Sequence, residues 1–237
     1  MKVNFFWKGD NFDGFNMMCI KSHIKVGHEV IIWLSGNEPN SWEWSNIIPK
    51  YNNITIKNAD TIFDVSKFIE DGGNLQTASD LWRFHFLYEY GGWYCDTDAY
   101  AIQHFPKSKD WIICSAEKDN SMLSIGVIKA PAKNPIFLEC IKNIKHKWGN
   151  VKVFSEAYKN FYSNTNPTVI NSEYYPWTWD KWDDIYKPTT IESLIINNNT
   201  KSIHLYHTML KRNNVKFETV RFPCILNEMI LWSSINE

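Results

Sequence analysis

The sequence predicts an α/β fold with a parallel sheet. Within residues 2–34 a buried-strand pattern, a helical pattern and a second strand pattern follow one another. Strand-like and helix-like segments keep alternating beyond them. No repeat or linker-like stretch divides the chain, so residues 1–237 are expected to form a single domain.

The elements follow in order. KVNFFW (2–7) reads as a first buried strand, and residues 15–26 carry helical spacing up to Gly27. EVIIWL (29–34) is a second strand, and strand, helix and strand over so short a stretch make a βαβ unit, whose helix crosses a parallel sheet. Residues 35–53 are loop-like, with Gly36, Pro39 and Pro49. A third strand is expected at 54–59 and helices at 61–70 and 77–90, the latter capped by Thr77 or Ser79. WYCDTDAY begins a further strand, followed by strands at 111–117 and 122–130 and a helix over 135–148. The Asn-, Pro- and Trp-rich stretch 164–188 reads as surface loop, and KSIHLYHT (201–208) as a late strand.

Composition narrows the function classes. Lys and Arg total 25 against 26 acidic residues, a net charge of -1, which leaves no electrostatic footprint for nucleic acid or an anionic membrane. Aromatics reach 16% with 12 Trp, more than packing alone asks for, and such side chains also line pockets for flat rings and sugars. Cys19, Cys95, Cys114, Cys140 and Cys224 are scattered and include no CxxC, so a zinc site is not expected and reduced thiols in a cytoplasmic setting are. The N-terminus is broken by Lys8, Asp10 and Asp13 and does not read as a signal peptide, and no apolar run is long enough to span a membrane.

The chemistry concentrates in SDLWRFHFLYEYGGWYCDTDAY (79–100). Asp80 and Arg83 stand at i and i+3 on one helical face, with Asp80 expected in the first turn, where the helix dipole favours a carboxylate. Gly91 and Gly92 supply the left-handed turn that closes the helix. On a strand Asp96 and Asp98 would point the same way with Thr97 opposite, and two such carboxylates call for a cation. Mn²⁺ or Mg²⁺ takes oxygen ligands of this kind and keeps positions open for phosphate oxygens. A bare Asp-x-Asp is otherwise a common solvated turn.

The run Ser79-Asp80-Leu81-Trp82-Arg83, Leu87-Tyr88, Gly91-Gly92-Trp93-Tyr94 and Asp96-Thr97-Asp98 resembles the signature of glycosyltransferase family 32, the DXD-containing sugar transferases. Phe5 to Gly9, Cys19 to Ser22, Gly27 to Trp33, Ile125 to Ile128 with Pro131, Asn134 and Pro135, Asn166 to Val169, Tyr174 to Trp177 and Ser202 to His207 resemble further blocks of that family, so the likeness runs through nearly the whole chain. It implies a GT-A fold with a mixed, mostly parallel sheet flanked by helices, a nucleotide-sugar donor, a divalent metal and retention of anomeric configuration. It also implies roles: Asp98 as direct metal ligand, Asp96 on the ribose or a metal-bound water, Asp80 and Arg83 on the transferred sugar, and Trp7 stacked on the donor's base.

A late histidine completes the metal sphere in many GT-A enzymes. The resemblance favours His204, with His207 as the alternative, since a strand would place the two on opposite faces. Lys211 and Arg212 are candidates to neutralise the diphosphate, and Glu117 to line the acceptor side. Neither a nucleophile elbow nor a Walker loop occurs. The expected activity is transfer of a hexose from a UDP- or GDP-sugar to a glycan or other hydroxyl acceptor, in polysaccharide or glycoconjugate synthesis. The competing readings are a nucleotide-sugar phosphohydrolase, a transferase acting on a protein or nucleobase, and a non-catalytic carbohydrate-binding module.

Overall fold

The expected βαβ unit forms as β1 (Lys2–Trp7), α1 (Gly14–Lys25) and β2 (Glu29–Leu34), with β1 and β2 parallel from Lys2↔Glu29 to Trp7↔Leu34. The structure is a computed structural model and describes residues 1–107, 111–115, 117, 122–144, 150–162, 171–175, 179–186, 199–215 and 229. The loop expected at 35–53 contains a short helix, α2 (Trp42–Ile47), capped by Ser41. Next come β3 (Ile54–Asn58), α3 (Val65–Glu70), α4 (Leu75–Glu89), β4 (Gly92–Cys95) and β5 (Ala99–Ala101). After these lie β6 (Ile112–Ser115), β7 (Leu123–Ala130), α5 (Pro135–Asn143) and α6 (Asn150–Tyr162). The described chain continues with α7 (Asn171–Tyr174), a 3₁₀ segment (Trp179–Tyr186), β8 (Ser202–His204) and α8 (His207–Arg212).

Six strands make the main sheet in the order β3-β2-β1-β4-β7-β6. The β3, β2, β1 and β4 strands run parallel, while β7 is antiparallel to both β4 and β6. This is the mixed, mostly parallel sheet of the GT-A fold. Strands covered on both faces are buried along nearly their whole length and mostly apolar, and β1, β2 and β7 are, with Asn4, Ser124 and Lys129 as their buried polar members. The two-residue period sorts their side chains. Val3, Phe5, Val30 and Ile32 face one core with Met17 and Ile20 of α1, whereas Phe6, Ile31 and Trp33 face the other with Trp82 and Phe86 of α4, Phe137 of α5 and Phe154 of α6. Trp82 is fully buried and its indole N–H donates to the Ala59 carbonyl at 2.9 Å, so Trp82→Ala would cost about 3–5 kcal/mol.

Three local expectations are corrected. The cap of α4 is Asn74, which accepts from the Thr77 N–H, so neither Thr77 nor Ser79 caps it and Asp80 lies beyond the first turn, outside the reach of the helix dipole. The strand entering WYCDTDAY stops at Cys95, and Asp96, Thr97 and Asp98 form a turn closed by the Ala99 N–H on the Asp96 carbonyl. The late strand is only Ser202–His204; Tyr206 takes a left-handed backbone (φ 49°, ψ 49°) and α8 begins at His207. The expected helix beyond residue 144, the blocks at 166–169 and 176–177, and Cys224 lie outside the described residues. The other four cysteines are buried free thiols. Among the described residues no helix is long and apolar enough to cross a membrane.

Candidate active site

The parallel strands end at one edge. Trp7, Leu34 and Asn58 are in register there, and β4 reaches the same edge before the chain turns at Asp96. Ligands of open α/β sheets gather at that carboxyl edge. The positive φ of Gly91 (61°) and Gly92 (86°) lets α4 reverse into β4, so the helix carrying Asp80 and Arg83 runs back along the strand carrying Tyr94.

This reversal assembles a buried polar network. Arg83 donates from Nη1 to Asp80 Oδ1 at 3.1 Å and from Nη2 to Asp96 Oδ1 at 2.6 Å. The Tyr94 hydroxyl accepts from Nη2 at 3.3 Å and donates to the same Asp96 oxygen at 2.9 Å. The second oxygen of Asp80 accepts from Asn150 Nδ2, at the start of α6, at 2.8 Å. Burial pushes the Asp80 carboxyl up, against the opposing pull of Arg83 and Asn150. Burial also works against the Arg83 charge, but Asp96, Tyr94 and Asp80 outweigh it and hold the guanidinium protonated.

A second assembly crosses from the small sheet. β5 and β8 pair antiparallel with Ala99 opposite His204, and the Leu205 N–H donates to the Asp98 carbonyl at 2.9 Å. His204 Nε2 is thereby set 3.2 Å from Asp98 Oδ1 and 3.7 Å from Asp96 Oδ2. Tyr175 stacks on the imidazole at 5.1 Å and fixes its plane. Burial would lower the His204 pKa, but Asp98 and Asp96 raise it to about 10, while burial of Asp98 is overcome by His204 and the His207 amide, which hold that carboxyl well below the usual range.

Asp96, Asp98 and His204 each offer a ligand atom, all within 4.8 Å of one another. Two carboxylates and an imidazole are a donor set that suits a divalent cation such as Mn²⁺. Gly126 keeps the space beside them open: a Cβ there would lie 2.7 Å from Asp96 Oδ2, 2.8 Å from His204 Nε2 and 2.5 Å from the Tyr175 hydroxyl. The main chain makes Gly126 immovable, because its carbonyl accepts from the Asp96 N–H at 2.7 Å. On these observations the residues present fit a divalent cation.

The other candidates fall around this centre. Trp7 is partly exposed at the end of β1; its indole N–H donates to the Gly9 carbonyl and its ring meets Phe12 edge-on. The next residue, Lys8, donates to Ser66 Oγ at 3.0 Å and Ser35 Oγ at 3.3 Å, beyond the ends of β1 and β2. His207 is turned away from the cluster. Its ring stacks on Phe15 and faces Asp13, and only its backbone N–H reaches Asp98. The late-strand picture of two histidines on opposite faces is replaced by a strand end and a helix start. Lys211 and Arg212 lie on α8, and Lys211 Nζ is 3.5 Å from Asp13. Glu117 follows β6, its backbone held by Ser115 Oγ.

Tyr94, Asn150, Gly126 and Tyr175 received no role from the sequence. Tyr94 was legible as the residue two before Asp96 on the same strand face. Nothing local marks Asn150, which meets Asp80 only through the packing of α6 near α4. Asn16 of α1 likewise pins the turn from a distance, donating to Thr97 Oγ1 at 3.1 Å.

The family model described as "Glycosyltransferase sugar-binding region containing DXD motif" matches residues 14–118. No curated protein matches the chain by sequence. Among solved structures, a chain named "PaToxG Glycosyltransferase" superposes with a TM-score of 0.53 at 17% identity, over 70% of each chain. Galactosyltransferase LgtC, in complex with donor and acceptor sugar analogs, matches at a TM-score of 0.39 and 13% identity over 71% of this chain and 67% of its own, too loosely to carry an argument. The Asp96-Thr97-Asp98 turn lies inside the matched region, at the carboxyl edge of a GT-A sheet, so residues 14–118 carry a sugar-binding region similar to that of the DXD-motif glycosyltransferases.

Proposed function

We propose that this chain is a glycosyltransferase that moves a hexose from a UDP- or GDP-sugar to a hydroxyl acceptor, a glycan in the first instance, with Mn²⁺ or Mg²⁺ and with retention of anomeric configuration. The observation that carries the reading is the convergence of Asp96, Asp98 and His204 beside Gly126. These three residues would hold the cation. When bound there, such an ion supplies Lewis-acid stabilisation of the departing diphosphate.

The remaining work falls to the chain's own residues. Trp7, at the end of β1, offers a flat face to the donor's base. Arg83 and Asp80 stand where the resemblance places residues on the transferred sugar, and the contacts of Arg83 support a second role, in which it holds Asp96 in one rotamer with Tyr94 and Asp80 completing the clamp. Asp80, buried beside it, is a positioning residue in the same clamp. In the reaction the bond from the sugar's anomeric carbon to the diphosphate oxygen breaks, and a bond from that carbon to the acceptor oxygen forms. The acceptor's proton leaves with the diphosphate. Retention is supported by the family resemblance of the signature run.

A panel of UDP- and GDP-hexoses, followed by nucleoside diphosphate release with Mn²⁺ and with EDTA, tests this reading. Turnover of at least one donor, lost with EDTA, is expected. Equal turnover or equal donor affinity under the two conditions would remove the metal from the reading, and turnover of none of the donors would remove the transferase. Proton NMR of the product gives the stereochemistry through the anomeric coupling constant; a β-linked product from an α-linked donor excludes retention.

A further inference from the structure

One flank of the Asp96–Asp98–His204 cluster continues outward as a chain of aromatic rings. The His204 ring meets Tyr206 edge-on at 4.7 Å, and Tyr206 meets Trp179 edge-on at 5.9 Å. Tyr206 is buried and keeps a left-handed backbone, a conformation that costs an aromatic residue on the order of 1–3 kcal/mol. That strained residue places its ring between the cluster and Trp179. Trp179 is 43% exposed, although the phenol beneath fixes its orientation.

Two carboxylates join this surface. Asp180 follows Trp179 and is exposed, and Glu117 follows β6. Both lie near enough to the Tyr206 ring to interact with it electrostatically. In the sheet order β6 lies at the end opposite β3, so Glu117 marks the flank away from Trp7 and Lys8. A donor whose base lies over Trp7 and whose diphosphate reaches the cluster leaves this flank uncovered.

A braced, half-exposed indole next to carboxylates matches one ligand chemistry well. A pyranose ring has an apolar C–H face that packs on an aromatic plane and a rim of hydroxyls that donate to carboxylates. We propose that Trp179, with Tyr206, Asp180 and Glu117, forms the acceptor subsite, and that the acceptor it takes is a pyranose sugar. Its role as an acceptor site rests on the transferase reading, whereas sugar binding at Trp179 does not.

The test titrates the wild-type protein with the methyl α- and β-pyranosides of glucose, galactose, mannose and N-acetylglucosamine. It follows the indole N–H signals of the 12 tryptophans, with the Trp179 signal assigned from Trp179→Phe. At least one pyranoside should shift the Trp179 signal saturably. Trp179→Ala should weaken that sugar about tenfold, Trp179→Phe less, and Asp180→Asn should weaken it as well. A Trp179 signal that no pyranoside moves overturns the subsite, and this arm needs no folded Ala variant. An Ala variant that binds the sugar as the wild type does overturns it too. Donor turnover by the wild type without added sugar reads the transferase separately: if that fails while the Trp179 shift persists, the transferase reading falls and the sugar site stands.

Discussion

His204 Nε2 lies 3.2 Å from Asp98 Oδ1, and the His207 N–H donates to the other oxygen of the same carboxylate at 3.0 Å. The Asp98 charge is therefore compensated inside the protein. Taken alone, the Asp-Thr-Asp turn suggests unrelieved repulsion, and with it a more stable protein after Asp98→Asn. The pairing reverses that expectation. Asp98→Asn should lower stability by about 1–3 kcal/mol, since it leaves a buried imidazole without its main partner. It should also abolish transfer. Urea unfolding and donor turnover measure the two effects; a raised midpoint would mean that His204 does not pair with Asp98 in solution.

Gly126→Ala probes the space beside the cluster. The added methyl falls within 3 Å of Asp96, His204 and Tyr175, while the Gly126 main chain is tied to Asp96. Mn²⁺ affinity should drop at least about tenfold, equivalent to about 1.4 kcal/mol. Calorimetry with Mn²⁺ reads this directly. Unchanged affinity would move the cation away from this space.

Arg83→Lys tests the clamp. The guanidinium engages Asp80, Tyr94 and Asp96 at once, and a point-charge ammonium does not reproduce that fork. The loss should be about 3 kcal/mol in stability, because the buried Asp80 and the half-buried Asp96 lose their shared partner. Asn150→Ala should cost less, about 1–2 kcal/mol, since it removes one neutral donor from Asp80. Thermal melts and denaturant midpoints of the two variants give the ranking; an Asn150 effect larger than that of Arg83 contradicts it.

Acid sensitivity should come from a pair outside the active site. The Phe105 N–H donates to His28 Nε2, His28 Nδ1 and His23 Nδ1 share a hydrogen bond at 3.1 Å, and His23 Nε2 donates to the Ala99 carbonyl. Burial lowers His23 to about 4; burial, His23, His104 and the N-terminus lower His28 to about 2. Both imidazoles are neutral in the folded protein, whereas the unfolded chain protonates them near pH 6.5. Their contribution to stability is thus full above pH 6.5. It falls by about 1.4 kcal/mol per pH unit per imidazole as the pH drops towards 4. Urea midpoints between pH 7 and pH 4.5 should show this slope, and His28→Gln should flatten it. An equal slope in the variant would assign acid sensitivity elsewhere.

The sequence alone determined the elements whose signals are local. The βαβ start is legible because parallel strands covered on both faces read as near-continuous apolar runs, and the reversal at Gly91-Gly92 because glycine takes both positive φ angles without strain. Asp80, Arg83, Asp96 and Asp98 were legible as a motif with fixed spacing. The tertiary structure decided how they are used. Asp96 and Asp98 belong to a turn and not a strand, because pairing with β7 carries β4 only to Cys95. His204 rather than His207 joins them, because the left-handed Tyr206 ends the strand between the two. Asn150, Gly126 and Tyr175 became visible only once α6, β7 and α7 had packed around the turn. A hydrogen bond, a clash with an absent Cβ and a stacked ring are relations between segments distant in sequence, and no spacing within one segment encodes them.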